Sequence, residues 1–302
     1  MRTARSTKPA VDAVNARVGR LGALPAAALF CLWSLAGVAM GAPGSSGGLG
    51  PAVSGPAVSG PAAAGRAAEL VVFEAASLKD AFRTLSRRFE GEHPGTRVIA
   101  NSAGSQELRA QLEQGASADV FAAADRRHMD ALVAEGLVNA PSVFACNEPV
   151  LVVRSGLDGT VKTFADLPRV DRLVVGAPNV PIGAYTAEIL KKAASWYGAD
   201  FVARVDGRVV SRELNVRQVL AKVVLGEADA GIVYRSDAIS APPGKLQVVT
   251  IPAALNVKAE YPMAVLKRAP QPVLARQWLA LVTSPAGAAA LREAGFAACS
   301  SP

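Results

Sequence analysis

Four short segments of this sequence place hydroxyl and backbone N–H groups where predicted strands give way to predicted helices. Ser77 and Ser105 each stand at the start of a predicted helix, and two more such turns begin at Pro178 and Ser211. The first turn of a helix exposes unpaired N–H groups and the positive end of the helix dipole, so converging helix ends form an anion site. A serine in this position is more commonly an ordinary N-cap. The spacing alone leaves both interpretations open.

Catalytic machinery is not visible elsewhere in the chain. His93 precedes a Pro-Gly turn and His128 lies beside two arginines, and we interpret both as solvated surface residues rather than bases or metal ligands. The sequence has no CxxC, HExxH or phosphate-loop pattern. A G-x-S-x-G match at Gly44–Gly48 has no strand before it and no helix after it. The arginine pairs lack interleaved aromatic residues, so we expect no nucleic-acid partner.

The elements that must position these turns alternate between strand and helix. Predicted strands are Leu70–Phe73, Arg97–Ala100, Asp119–Ala123, Val150–Val153, Leu173–Val175, Val209–Ser211, Gly231–Tyr234, Gln247–Ile251 and Met263–Leu266. Predicted helices are one that Ser77 caps, Gln106–Gln114, Arg126–Glu135, Ala184–Tyr197, Val216–Leu225, Val273–Val282 and Ala286–Ala294. This alternation predicts an α/β fold with largely parallel sheets. Ligands in such folds bind at the carboxyl ends of strands.

The basic charge of the chain is concentrated at its N-terminus. The formal net charge is +7, and residues 1–41 contribute +4 of it through five basic residues and one acidic residue. An apolar run over 21–40 ends in small residues, so we interpret 1–41 as a signal peptide and expect a periplasmic protein. Retention of this run as a membrane anchor is the alternative. A lipid anchor at Cys31 is not expected, because Phe30 precedes it.

A region rich in proline, glycine, serine and alanine follows the predicted signal. It contains two consecutive copies of Pro-Ala-Val-Ser-Gly, beginning at Pro51 and Pro56. Side chains this small cannot build a core, so residues 42–68 are predicted to be a tether.

Several motifs at the strand-to-helix turns occur in an order typical of one family. They are Val72-Phe-Glu-Ala-Ala-Ser-Leu-Lys-Asp-Ala81, Gly104-Ser-Gln-Glu-Leu108, Gly115-Ala-Ser-Ala-Asp-Val-Phe-Ala-Ala-Ala-Asp125, Val175-Gly-Ala-Pro178 leading to Pro181-Ile-Gly-Ala-Tyr185, Asn215-Val-Arg-Gln-Val-Leu220, Gly226-Glu-Ala-Asp-Ala-Gly-Ile-Val-Tyr-Arg-Ser-Asp-Ala238 and Glu260-Tyr-Pro-Met-Ala-Val265. With these motifs the sequence resembles the molybdate-binding periplasmic proteins of ABC importers, over residues 69–296.

The resemblance implies a two-lobed, type II periplasmic-binding-protein fold with two crossovers between the lobes and the ligand in the interlobe cleft. It places the first lobe at 69–146 with 260–302 and the second at 147–259. It implies that the chain is not an enzyme, holds no cofactor, is a monomer, and delivers molybdate, and also tungstate, to the membrane subunit of an ABC permease.

The resemblance also implies a ligand set that holds molybdenum as the intact molybdate dianion. Ser77 and Ser105 would each give a hydroxyl and a backbone N–H, Ile182 and Val216 would give backbone N–H groups, and Tyr234 would give its hydroxyl.

Three residues depart from the family pattern or bear on it. Gly104 replaces a serine that is common in the family and is expected to loosen its loop. Ile182 stands where the family usually has alanine. The Pro178 loop before it is one residue shorter than in some members. Glu213 lies near Val216, and we expect its carboxylate to point away from a bound dianion.

Rival functions remain open at this point. They are a binding protein for sulfate, phosphate or an organic solute on the same fold, an enzyme or sensor module on that fold, and an extracellular structural protein. Once the leader is removed, Cys146 and Cys299 are the two cysteines of the chain. A disulfide between them and two free thiols are about equally supported by the sequence.

Overall fold

The computed structural model describes residues 67–157 and 159–299. The predicted signal peptide at 1–41, Cys31 and nearly all of the predicted tether lie outside the described residues. Within the described ranges, no helix has both the length and the apolar character that crossing a membrane requires.

The described residues form ten strands and nine α-helices. Strands β1 to β10 are Ala68–Ala75, Thr96–Ala103, Val120–Ala122, Ser142–Asn147, Pro149–Arg154, Leu173–Gly176, Val209–Glu213, Ala230–Tyr234, Leu246–Val249 and Ala259–Val265. Helices α1 to α9 are Lys79–Glu92, Ser105–Glu113, Arg126–Ala134, Pro181–Tyr197, Ala199–Asp206, Val216–Val224, Arg235–Ile239, Pro272–Thr283 and Pro285–Glu293.

The strands form two five-stranded sheets. The first has the order β2-β1-β3-β10-β4, and the second has the order β7-β6-β8-β5-β9. In each sheet four strands run in the same direction, while β10 in the first and β5 in the second run antiparallel to both of their neighbours. The expectation of largely parallel sheets therefore holds for the direction of four strands in each sheet. The two antiparallel strands are those that the chain enters as it passes between the sheets.

The chain passes between the sheets twice. It leaves the first sheet after β4 and enters the second at β5, and it returns between β9 and β10. This two-lobed α/β architecture with two crossovers confirms the predicted fold class. It also brings helix N-termini from both sheets toward one cleft.

Aromatic packing fixes α1 against the first sheet. Phe82 and Phe89 lie one above the other on the buried face of α1, as their helical spacing predicts. Trp278 of α8 meets both rings edge-on, with centroid distances of 5.4 Å and 5.5 Å. Burying each such ring stabilises the fold by roughly 1.5–3 kcal/mol. This packing fixes the position of the α1 N-terminus, which follows Ser77.

A disulfide joins the C-terminal tail to the first sheet. Cys146 of β4 and Cys299 are bonded, with their Cα atoms 5.1 Å apart. Backbone hydrogen bonds between Cys146 and Ala297 flank the bond. The structure thus shows the pairing that the sequence had left open against two free thiols. The sequence analysis missed β4, the strand that carries Cys146.

Candidate anion-binding site

One cavity between the two lobes is lined by all five residues that the sequence analysis predicted as ligands. Its lining includes Ser77 and Ser105 from the first lobe and Ile182, Val216 and Tyr234 from the second. All five residues are buried. The strand-to-helix turns therefore converge, which periodicity could not show.

Ser77 does not cap a helix, so that prediction was wrong. The chain leaves β1 through a short 3-10 turn, Ala76–Leu78, and α1 begins only at Lys79 without a side-chain cap. The Ser77 hydroxyl instead lies 2.9 Å from the Tyr261 hydroxyl of β10. A hydroxyl that accepts from Tyr261 retains its own hydrogen for a ligand.

Ser105 is the first residue of α2, and the capping position before it belongs to Gly104. Its Oγ accepts the backbone N–H of Ala124 at 3.0 Å. Because that bond uses a lone pair, the hydroxyl hydrogen is free to point at an anion. The backbone N–H of Ser105 lies in the first turn, where no intrahelical acceptor exists.

Ile182 and Val216 open the two helices that the second lobe presents to the cavity. Ile182 follows Pro181 at the start of α4, and Val216 follows Asn215, whose side chain caps α6 through Gln218 N–H at 3.1 Å. Their N–H groups lie in first turns and need an acceptor from outside the helix. A Cβ at Gly183 would lie 2.0 Å from the Ala177 carbonyl oxygen, so glycine allows α4 to start tightly against its strand.

Tyr234 is the most informative residue of the cavity. It ends β8, its side chain is 1% exposed, and its hydroxyl has no hydrogen-bond partner among the described residues. Burial raises the pKa of Tyr234 far above its usual value, so the hydroxyl stays protonated. A buried donor without a partner costs free energy, and a ligand oxygen in the cavity would satisfy it.

The lining of the cavity carries no Asp, Glu, Lys, Arg or His. Among the described residues no cluster of His, Cys, Asp and Glu could hold a cation. Glu213 is absent from the lining, and its carboxylate pairs with Lys222 Nζ at 2.7 Å and contacts Ser211. The site therefore offers neutral O–H and N–H donors and no charged ligand.

Two residues differ from their sequence-based interpretation. His128 is buried rather than solvated, and its Nε2 lies 2.9 Å from the Asn179 carbonyl oxygen in the other lobe. Its place four residues before Leu132, on the apolar face of α3, could have signalled this burial. His93 is half-buried, and its ring lies 4.3 Å from that of Phe89.

Gly104 contributes space between the lobes. A Cβ at this position would lie 2.5 Å from the Leu214 carbonyl oxygen of the second lobe and closer still to the Gln106 side chain. A serine at this position could not fit without a shift of one of the two. The structure thus gives Gly104 a packing role that the expectation of a looser loop did not include.

A family model described as bacterial extracellular solute-binding protein matches residues 70–297. The chain belongs to this family. As a solute-binding protein, the chain is not an enzyme.

Relatives and solved structures agree with this assignment. The molybdate-binding protein ModA of Mycobacterium bovis is 44% identical over 230 residues, covering 76% of this chain and 84% of that protein. The periplasmic molybdate-binding protein of Azotobacter vinelandii shares the fold, with a TM-score of 0.67, 22% identity and coverage of 76% and 100%. The sulfate-binding protein SubI of Mycobacterium tuberculosis also shares it, with a TM-score of 0.68, 20% identity and coverage of 76% and 86%. The resemblance stated from the motifs is confirmed.

Proposed function

We propose that this solute-binding protein captures molybdate, and also tungstate, in the periplasm and delivers it to the membrane subunit of an ABC permease. The observation that carries the proposal is the buried, unpartnered Tyr234 hydroxyl, which lines a cavity together with two serines and two helix N-termini among the described residues. The 44% identity to a molybdate-binding relative supports molybdate over other anions.

Each of the five residues has one role in the proposal. Ser77 and Ser105 donate their hydroxyl and backbone N–H groups, Ile182 and Val216 donate backbone N–H groups, and Tyr234 donates its hydroxyl. The lobes, 69–146 with 260–302 and 147–259, close over the anion. The five residues hold molybdenum only through the oxygens of the intact anion, so the ligand needs no metal coordination by the protein.

Neutral donors suit the task of a transporter's binding protein. A dianion loses its hydration shell on entering the cavity, and preorganised N–H and O–H dipoles replace that shell. The lining has no cation, so release to the permease breaks hydrogen bonds and no direct ion pair. We propose that the protein acts as a monomer, with one anion in the cleft of each chain, after export and removal of 1–41.

Sulfate is the second candidate ligand, because a sulfate-binding protein shares this fold. Sulfate and molybdate are both tetrahedral dianions, so the same donors could serve either of them. Discrimination must then come from the size of the cavity, since the smaller anion cannot reach all five residues at once. An enzyme on this fold would show turnover, which the proposal excludes.

Calorimetric titration of the exported chain with molybdate, tungstate, sulfate and phosphate tests the proposal. We expect saturable one-to-one binding of molybdate and tungstate, and binding of sulfate and phosphate weaker by about 100-fold or more, roughly 3 kcal/mol. Sulfate or phosphate binding as tightly as molybdate would overturn the choice of ligand. A product formed from any of the four anions would overturn the role of a binding protein.

A further inference from the structure

The geometry points to Arg217 as an interlobe latch, a side chain fixed in the second lobe that holds the closed form by an ion pair with Asp80 of the first lobe. This inference rests on the proposed function and concerns how the same site closes. Arg217 directly follows Val216, and Asp80 lies three residues beyond Ser77. The ion pair therefore joins the lobes beside two proposed ligands, one from each lobe.

The second lobe holds the Arg217 guanidinium from two sides. Its Nε lies 2.7 Å from Asp237 Oδ1, and its Nη1 donates to Ser240 Oγ at 2.9 Å. Asp237 is fully buried, and Arg217 is its ion-pair partner. A planar guanidinium with two of its nitrogens fixed has little freedom left, so the third nitrogen points in a set direction.

That third nitrogen reaches across the cleft. Arg217 Nη2 lies 2.8 Å from Asp80 Oδ2 on α1, and the two side chains are 24% and 31% exposed. The other carboxylate oxygen of Asp80 pairs with Arg83 at 2.6 Å within α1. Arg217 is thus oriented by its own lobe before the lobes meet, while Asp80 keeps one carboxylate oxygen for the interlobe contact. Preorganised, partly buried ion pairs are stronger than flexible ones at the surface.

The ionic character separates this contact from the neighbouring ones. Two nearby interlobe contacts join neutral groups. Gln106 Nε2 donates to the Leu214 carbonyl oxygen at 2.6 Å, and Tyr185 Oη lies 3.4 Å from the Ala124 carbonyl oxygen. Neither Arg217 nor Asp80 lines the anion cavity. The latch therefore acts on closure, as a positioning residue, and its contribution depends on ionic strength.

Asp80 variants test the latch, because removing Arg217 would leave Asp237 buried without its cation. Asp80→Asn removes the interlobe charge, and Asp80→Lys places a cation opposite Arg217. Arg83→Gln is the matched control, since it removes the other partner of Asp80 and keeps the latch. Molybdate affinity is measured at low and high salt, and the interlobe distance of the ligand-free protein is measured by pulsed electron resonance between spin labels at Arg87 and Trp196.

Asp80→Asn should weaken molybdate binding about 3- to 20-fold relative to Arg83→Gln at low salt. It should also move the ligand-free distance distribution toward longer, open distances. For Asp80→Lys, added salt should narrow the deficit in affinity, because it screens the new repulsion. If Asp80 had only a structural role, the deficit in molybdate affinity of Asp80→Lys would not depend on salt.

The latch and the proposed function fail in different ways. If the wild-type protein binds molybdate but both Asp80 variants match Arg83→Gln in affinity and distance distribution, the latch is wrong and the proposed function stands. If the wild-type protein binds no molybdate, the proposed function is wrong, and the distance distributions alone decide the latch. Unchanged distributions for both Asp80 variants would then overturn it.

Discussion

At the residue scale, the cavity combines buried polar groups with incomplete hydrogen bonding. Tyr234 has a hydroxyl without a partner among the described residues, and Ser105 retains its hydroxyl hydrogen because its Oγ accepts from Ala124 N–H. The Ser77 hydroxyl contacts the Tyr261 hydroxyl, and either of the two can be the donor. Buried polar groups are rarely left unsatisfied in folded proteins unless a ligand completes them. The proposed role in anion binding accounts for these hydroxyls, whereas ordinary capping does not.

Deleting single hydroxyls tests that role. Ser77→Ala, Ser105→Ala and Tyr234→Phe should each weaken molybdate binding about 10- to 150-fold, because a hydrogen bond to a charged group contributes roughly 1.5–3 kcal/mol. Ile182→Ala is the control and should change affinity little, since its backbone N–H remains. Calorimetry measures the affinities. Wild-type affinity in all three hydroxyl variants would show that the site assignment is wrong.

Glu74 gives a separate prediction about pH. It is buried beside β2, Ser102 donates to its Oε1, and its Oε2 has no partner among the described residues. Burial, opposed by the Ser102 hydrogen bond, raises the pKa of Glu74 from its ordinary 4.5 to about 7. The folded state therefore keeps this proton where the unfolded state loses it. The contribution of Glu74 to stability falls as pH rises from about 4.5 to 7 and is constant above that.

Glu74→Gln should remove this pH dependence. Urea unfolding should show that, between pH 4.5 and pH 8, the free energy of unfolding of the variant rises relative to that of the wild type by about 2–3 kcal/mol. The amide keeps an acceptor for Ser102, so the change at pH 4.5 should be small. An equal difference between the two proteins at both pH values would contradict the assigned titration.

At the element scale, the order of most elements was easier to predict than the local conformation. Apolar periodicity and helix-start signals predicted most strands and helices in their order, and the four turns that reach the cavity, but not β4, α5 or α7. The 3-10 turn at Ser77 was not predicted, because the sequence around a serine that precedes an apolar helical face is the same whether or not the serine caps the helix. The strand β4 was missed because its polar ends at Ser142 and Asn147 interrupt the apolar run.

Gly104 shows a further limit of the sequence and gives a prediction. Its backbone is extended, with φ −62° and ψ 139°, so conformation does not require glycine. The close approach of Leu214 from the other lobe requires glycine here, and such contacts between distant segments leave no local pattern in the sequence.

Gly104→Ala should weaken molybdate binding roughly 10-fold by opposing closure of the lobes, while the thermal stability of the ligand-free protein should change little. Calorimetry and thermal unfolding measure the two effects, and unchanged affinity would contradict the packing role.

At the scale of the whole molecule, two lobes with separate sheets meet at one cavity, and the first lobe is tied to the C-terminal tail by a disulfide. The loop that Cys146–Cys299 closes spans 153 residues. A cross-link over so long a loop restricts the unfolded chain strongly. The cysteine count suggested this pair. The sequence could not show that the two cysteines are close enough to bond, because that depends on how the tail aligns with β4.

Removing the disulfide should lower stability without altering the site. Cys146→Ser with Cys299→Ser should reduce the free energy of unfolding by roughly 2–5 kcal/mol, with molybdate affinity near that of the wild type. Denaturant unfolding and calorimetry measure the two quantities. Two free thiols in the unfolded, non-reduced wild-type protein would instead show that the bond does not form.

The central claim is that Ser77, Ser105, Ile182, Val216 and Tyr234 hold an intact molybdate between the lobes. Anomalous diffraction at the molybdenum edge, from crystals grown with molybdate, tests this most directly. The account predicts one strong anomalous peak in the cavity, with its oxygens within hydrogen-bonding distance, about 2.7–3.2 Å, of the two serine hydroxyls, the Tyr234 hydroxyl and the N–H groups of Ile182 and Val216. A molybdenum peak at another place in the protein, with the Tyr234 hydroxyl still without a partner, would contradict it.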